Sequence, residues 1–486
     1  MKKFGLGALA VFVVLLGILF IRMSLFSSKQ VKVDPAPEIR IDAKKAVQNF
    51  SRAIQFKTIS HQDHAKVDKN EFLAMHQFLK EAFPRVHETL KKETVSDLTL
   101  FYTWKGSDDS LKPALLMGHL DVVPVEPGTE ANWTQPPFSG KIADGFIWGR
   151  GTLDIKSGVM GVLEAVEYLL AKGFKPRRTV YLAFSHDEEI GGKNGNGKIA
   201  EMLAARGTKL EFVLDEGGFI TDGIISGIKN KAALVGVAEK GYLTLELTVT
   251  AEGGHSSMPP RETAVGILCS GIAKIEQNQF PFEIKAPAKW MFDTLGPEMP
   301  FGNKIALANL WLLEGLVKSQ LTKSLSMAAM LHTTIAPTML QGSIKENVLA
   351  SKAVGIVNFR LAPGDTCDSV TEHVKKSIND SRVQIKPLQA DNPSQISDRS
   401  SLGYKNIEKT IRQVFPDTYV APYLVMGATD SRHYANVTDS IFRFSPSINK
   451  PEDIARLHGT NERMSTANYE QLIKFYIQLI QNADAK

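Results

Sequence analysis

Apolar and polar positions alternate in two distinct styles along this chain, and the change comes near residue 240. Up to there, helical periodicity and β-rich runs take turns. Ile41 to Phe56 and Asn70 to Phe83 repeat apolar residues at helical spacing. Leu98 to Trp104 alternates like a strand, and Pro113 to Met117 is a short apolar run. Gly158 to Lys172 reads as a strongly apolar helix, Thr179 to Ser185 as a strand covered on both faces, Ile199 to Arg206 as a helix and Leu210 to Leu214 as another strand. Strand and helix in turn predict an α/β body with a mostly parallel sheet. From Gly241 the style changes. Tyr242 to Thr250 alternates cleanly, a helix follows from Thr263 to Gln277, and then strands Thr333 to Gln341 and Ala353 to Leu361. A helix over Val370 to Ile378 and a strand over Arg382 to Pro387 complete β-α-β-β-α-β, a ferredoxin-like α+β arrangement. After residue 391 the first style returns, with helices over Ile407 to Val414 and Asn468 to Gln481. The expected organisation is therefore a body of residues 41–240 and 391–486, interrupted by a smaller unit over 241–390 that carries an extra insert, 280–330.

One stretch lies outside this scheme. Phe4 to Ile21 carries no charge, with Lys2 and Lys3 before it and Arg22 after. A run of this length predicts an N-terminal transmembrane helix over 1–26; a cleaved signal peptide is the rival, but no small-x-small cleavage site follows. Lys2 and Lys3 favour a cytoplasmic start, which Arg22, Lys29 and Lys32 weaken. The expectation is a single-pass membrane anchor, a tether over 27–40, and a body facing the periplasm, the exterior or a lumen. Composition adds exclusions. Across 486 residues the formal charge is +5, and basic residues do not cluster beyond pairs such as Arg177-Arg178, so nucleic acid is not an expected partner. Cys269 and Cys367 form neither a disulfide framework nor a zinc-finger spacing and are expected to be core thiols.

Candidate chemistry gathers where β-runs end. His119-Leu120-Asp121 follows Pro113 to Met117, His186-Asp187-Glu188-Glu189 follows Thr179 to Ser185, and Asp215-Glu216 follows Phe212 to Leu214. Gly149 to Asp154 adds another acid before the apolar helix. Strand ends that deliver acids and imidazoles to one rim are how an open α/β sheet builds a site. Carboxylate with imidazole, without paired thiols, suits Zn, Mn or Co. Any one of these pieces alone is usually a solvated turn. His61, His64, His76, His87, His332 and His373 lack such context, and His186 and His433 stand only near it.

Taken together the motifs resemble a known family. They are HLDVVP at His119, GRGTLDIKSG at Asp154, HDEEIGG at Glu188 and Glu189, LDEGG at Asp215, GGHSSMPP at His255 and LHGTNER at His458. The set is similar to the di-zinc exopeptidases and amidohydrolases that include aminoacylase, carboxypeptidase G and the Gly-Xaa carboxypeptidases of carboxypeptidase S type. The insert and HGTNER look most like the Gly-Xaa carboxypeptidase and N-fatty-acyl-amino-acid hydrolase branch. The resemblance implies two Zn(2+) per chain, with Mn or Co as substitutes. His119, Asp154 and Asp215 would hold one ion and Asp154, Glu189 and His458 the other. Asp121 would orient His119, and Glu188 would be the general base. His255 of the lid would polarise the scissile carbonyl, while Arg360 and Asn347 would bind substrate. The family also often has a cis peptide after the bridging acid, here Asp154-Ile155. The 241–390 unit would be a lid and the face of a homodimer. The implied reaction is amide hydrolysis of dipeptides, peptide C-termini or N-acyl amino acids. A deacylase or desuccinylase of a biosynthetic intermediate, or a non-catalytic receptor-like ectodomain on a peptidase scaffold, are the alternatives.

Overall fold

A computed structural model of the chain describes residues 2–484. Its larger sheet has ten strands. At its centre Ala114–His119 lies parallel to both Val180–Ser185 and Phe212–Asp215, and Phe212–Asp215 is in turn parallel to Ile441–Arg443. These strands are buried nearly throughout, because helices cover both faces. On one face lie the helices Ala43–Ile54, Lys156–Ala171, Leu402–Val414 and Thr466–Asp484, whose Phe50, Val162, Ile407, Tyr469 and Leu472 share one core with Leu116, Leu182 and Leu214 of the sheet. On the other, Ile199 and Leu203 of the helix Asn196–Ala205 pack with Tyr434, Leu115 and Val213. Several strands of this sheet escaped the sequence reading, among them Lys91–Val95, Tyr419–Val425 and Ile441–Arg443, and the most buried is instructive. Ala232–Glu239 is buried at every position, and its run of Ala, Val and Gly lacks the alternation that marks a half-exposed strand.

The second sheet is antiparallel, in the order Thr334–Gln341, Lys352–Leu361, Gly241–Thr250, Val383–Asp391. The helices Ala264–Gln277 and Cys367–Ile378 cover one face and close a separate core around Leu243, Leu245, Val357, Phe359, Leu268 and Val374. Alternation along Lys352–Leu361, buried at every second residue, gives this sheet one wet face. Chain crosses between the sheets at Gly241 and at 391–393. A Cβ at Gly241 would stand 2.7 Å from both Asp391 O and Pro393 N, so only glycine lets the two crossings touch. The insert does not extend the second sheet. Its helix Ala288–Leu295 packs Met291, Phe292 and Leu295 onto Ala421 and Leu424 of the body strand Tyr419–Val425. Asn309 separates two further helices of the insert, Phe301–Ala308 and Leu310–Leu321.

Two sequence expectations are corrected here. Among the described residues no helix is long and apolar enough to cross a membrane. The N-terminal run is helical over Lys2–Leu25, but its far end is seated on the insert. Phe20 lies 6.1 Å from Phe301, Asn309 Nδ2 donates to Leu19 O at 3.1 Å, and Arg22 Nε donates to Ala308 O at 3.3 Å. The predicted transmembrane helix is overturned, and with it the single-pass anchor and the location inferred from it. The cysteines are the second correction. Both thiols are free: Cys269 is exposed, outside the apolar stripe of its helix, and Cys367 is half-buried at the edge of the small core.

Candidate metal centre

Three neighbouring parallel strands end on one rim, and each delivers an acid or an imidazole there. Ala114–His119 ends in His119, 1% exposed. Val180–Ser185 leads into a turn carrying Glu188 and Glu189, and Phe212–Asp215 is followed at once by Glu216. The loop before the helix Lys156–Ala171 supplies Asp154, and the loop before the strand Arg463–Ser465 supplies His458. His119 Nδ1 donates to the main-chain oxygen of Asp121 at 2.9 Å, which leaves Nε2 as the free nitrogen. That nitrogen lies 3.1 Å from Asp154 Oδ1, 3.1 Å from Glu216 Oε1 and 4.0 Å from Glu188 Oε2. The other oxygen of Asp154 is 2.9 Å from His458 Nε2, which also stands 3.3 Å from Glu189 Oε2. Asp154 therefore lies between two imidazoles, one oxygen toward each. The peptide after it, Asp154-Ile155, is cis.

The electrostatics of this cluster ask for cations. Burial, then the charge of Asp154, pushes Glu216 up to about 8. Burial is also the main cause that holds Glu188 well above the usual carboxylate range, with the charges of Glu216 and Asp430 adding to it. Glu189 is raised by burial and by Asp154. His458 is pushed up to about 10 by its contacts with Asp154 and Glu189. Only Asp154 is held below its ordinary value; burial opposes this, but His119 and His458 outweigh it. So many acids facing two imidazoles cannot all ionise without further positive charge. Moreover, Glu189 Oε1 is buried with no partner among the described residues. Three triads bring their ligand atoms within 4.8 Å of one another: His119, Asp154 and Glu216; His119, Glu188 and Glu189; Asp154, Glu189 and His458. Carboxylate and imidazole in such groups are a donor set for a borderline divalent metal, so the residues fit one.

Comparison with known proteins follows from this geometry. Residues 115–482 match Peptidase family M20/M25/M40. The chain belongs to that family. It is 42% identical to the N-fatty-acyl-amino acid synthase/hydrolase PM20D1 of Xenopus tropicalis, over 91% of this chain and 86% of that protein. It is 30% identical to carboxypeptidase S of Saccharomyces cerevisiae, over 85% of this chain and 79% of that one. In fold it is similar to an M20 family metallo-carboxypeptidase, Sso-CP2 from Sulfolobus solfataricus, with a TM-score of 0.64 at 18% identity, covering 90% of this chain and 99% of the other. As an M20 peptidase it is a hydrolase of the metallopeptidase class, dependent on metal and acting on small substrates.

Within this M20 chain the structure gathers most of the sequence-derived site and rearranges the rest. His119, Asp154, Glu188, Glu189 and His458 meet as described. Asp215, expected as a ligand, is in none of these triads. Its Oδ2 accepts from Ser431 N at 2.9 Å, and the adjacent Glu216 faces His119 instead. In LDEGG two acids stand side by side, and spacing alone does not tell which one turns inward. Asp121 lies beside His119, its Oδ1 3.5 Å from His119 Nδ1, and it makes a further contact. Its main-chain oxygen orients His119, while its carboxylate accepts from Glu188 N at 3.2 Å and Glu189 N at 3.1 Å, fixing the turn that carries both acids. His255 and Asn347 lie apart from the cluster, on an exposed two-stranded ribbon where His255 meets the Ser257 hydroxyl at 2.8 Å and Asn347 O accepts from Ser256 N. Arg360 is half-buried, stacked 4.4 Å from the Tyr242 ring, and has no acidic partner among the described residues. His433 meets Gly191 O at 3.1 Å, and His186 meets the Thr99 hydroxyl at 2.6 Å.

The sequence reading missed a pair of residues altogether. Glu462 is fully buried. One oxygen accepts from Leu153 N at 2.7 Å, and the other pairs with Arg150 Nη1 at 2.7 Å. Arg150 Nη2 in turn donates to His458 O at 3.0 Å. This buried pair clips the Asp154 loop to the His458 loop. Both residues were present in the motifs, as GRG and NER, but their separation of 312 positions hid the contact.

Proposed function

We propose that this M20 hydrolase cleaves an amide whose leaving part is an amino acid with a free carboxylate, as in dipeptides, peptide C-termini and N-acyl amino acids. The observation that carries the reading is Asp154 shared between His119 and His458, with Glu188 beside them. His119, Asp154 and Glu216 would hold one Zn(2+), and Asp154, Glu189 and His458 the other; Mn or Co could substitute. When bound, the ions would polarise the substrate carbonyl and lower the pKa of an attacking water toward neutrality. Glu188 accepts the proton from that water and passes it to the departing amine. Asp121 holds Glu188 and Glu189 by their amides, so base and ligand point differently from one turn.

Residues 241–390 act in this reading as a lid. His255 would be carried to the substrate carbonyl by closure, and Arg360, whose guanidinium has no acid to pair with, would grip the substrate carboxylate in a planar fork. Asn347, on the same ribbon as His255, would approach with it. The exposed Met339 and Leu340 on the lid's edge strand support a homodimer through that face. Similarity to the N-fatty-acyl-amino acid synthase/hydrolase favours N-acyl amino acids among the substrates. The test is a metal count by mass spectrometry, together with a panel of dipeptides and N-acyl amino acids. Two ions per chain and release of a free amino acid are expected. A chain that binds no metal, or hydrolyses neither class, overturns the reading.

A further inference from the structure

Behind the two loops that carry Asp154 and His458 lies a cavity of about 500 Å³ that contains none of the clustered acids or imidazoles. Its size is that of a small-molecule site. Leu153, Ile448 and Met464 make part of its wall apolar. Asn449 also lines it, 5% exposed, and the side-chain oxygen of Asn449 is buried with no hydrogen-bond partner. A buried acceptor left unpaired is costly, so such a group in a residue of the cavity wall points to a missing donor. Arg463 stands beside it. Its guanidinium is stacked 4.3 Å from the Trp148 ring and 4.8 Å from that of Phe146, with Nε buried and unpartnered and no acid in ion-pair reach among the described residues. Asp222 lines the same cavity, and its carboxylate likewise has no ion pair among the described residues. The cavity thus presents a stacked guanidinium, a carboxylate, an amide and an apolar wall, and Lys231, Lys450, Glu452 and the Arg456–Asp453 ion pair line it too.

We propose that this cavity is a second ligand site, which binds a free α-amino acid with an apolar side chain. Arg463 meets the ligand carboxylate as a planar fork. Asp222 meets the ammonium, Asn449 satisfies its amide on the ligand, and Leu153, Ile448 and Met464 take the side chain. The geometry also gives the site a connection to the cluster. Leu153 precedes Asp154, and Arg463 follows Glu462 in the loop of His458, so an occupant braces the segments that carry these two residues. Such an amino acid is the product class of the proposed reaction. That link to turnover rests on the hydrolytic reading, whereas the binding itself does not.

The test is calorimetric titration of L-leucine into the full-length, metal-loaded enzyme and two variants, Asn449→Leu and Asp222→Asn. Wild type should bind leucine saturably and more tightly than leucinamide or 4-methylpentanoate. Asn449→Leu should weaken leucine at least tenfold and raise the melting temperature, since it fills the cavity and removes the unpaired amide. Asp222→Asn, a rim change that leaves the core alone, should abolish the preference for leucine over 4-methylpentanoate. Absence of saturable binding at millimolar leucine, or unchanged binding in both variants, overturns the cavity site even if hydrolysis is normal. Leucine binding in an enzyme that hydrolyses no amide would sink the hydrolytic reading and leave the cavity site standing.

Discussion

The rim of the larger sheet and the ribbon that carries His255 hold residues of similar chemistry in opposite conditions. On the rim, His119 and Asp121 are buried, and every loop is tied to another: Asp121 to the Glu188–Glu189 turn, Glu462 to the Asp154 loop, Arg150 to the His458 loop. On the ribbon, His255 is exposed, and among the described residues its ring bonds only to its near neighbour Ser257. The lesson is about preorganisation. A group that must share a small cation needs its position fixed before the ion arrives, because like charges otherwise spread apart. A group that meets substrate only on closure needs freedom of the segment that carries it.

Removing the base should make the sharpest break in that contrast. Glu188→Ala should lower turnover by about 10²–10⁴-fold while metal content, by mass spectrometry, stays at the wild-type value; retained activity would refute the base. Next comes the clip between loops. Glu462→Ala leaves Arg150 buried and unpaired, and such a loss costs about 3–5 kcal/mol. A marked fall in the denaturant midpoint and weaker metal retention are expected, and an unperturbed midpoint would show that the loops are held by something else. The choice between adjacent acids can be read in a matched pair. Glu216→Gln should reduce metal occupancy, measured after dialysis, whereas Asp215→Asn should keep it; the reverse result restores the ligand set of the motif.

On the lid side, His255→Ala should reduce kcat but leave metal content and melting temperature as in wild type. A changed melting temperature would mean that the ribbon is structural. The smallest effect concerns pH. In the metal-free chain Glu216, raised to about 8, keeps a proton that the unfolded chain releases above its ordinary value of 4.5. His458, raised to about 10 from 6.5, likewise binds its proton more tightly when folded. Both terms favour folding at low pH and fade as pH rises through these values. Melting of the metal-stripped protein should therefore weaken from pH 6 to 9, and metal binding near neutrality should release protons, as titration in buffers of different ionisation heat would record.

Much of this arrangement was readable along the chain. The strands and helices of residues 241–390 were mostly placed to within a residue, because alternation with one wet face and amphipathic helices are strong periodic signals, although Cys367–Ile378 begins before Val370 and Val383–Asp391 runs past Pro387. The body strand Ala232–Glu239 was not, since burial on both faces removes the period, and neither was the seating of the insert on Tyr419–Val425. Phe4 to Ile21 misled for a related reason. Apolarity says that a segment avoids water, but not whether lipid or the chain's own helices should cover it.

His119, Asp154, Glu188, Glu189 and His458 were nameable from sequence because each ends or flanks a recognisable element, and local chemistry decides what such a residue can hold. What only the folded chain decided was which of Asp215 and Glu216 turns toward His119, and that Arg150 and Glu462, 312 positions apart, lock the two loops together. Those choices depend on contacts between distant segments, which have no local pattern and arise only when the core brings the strand ends to one rim.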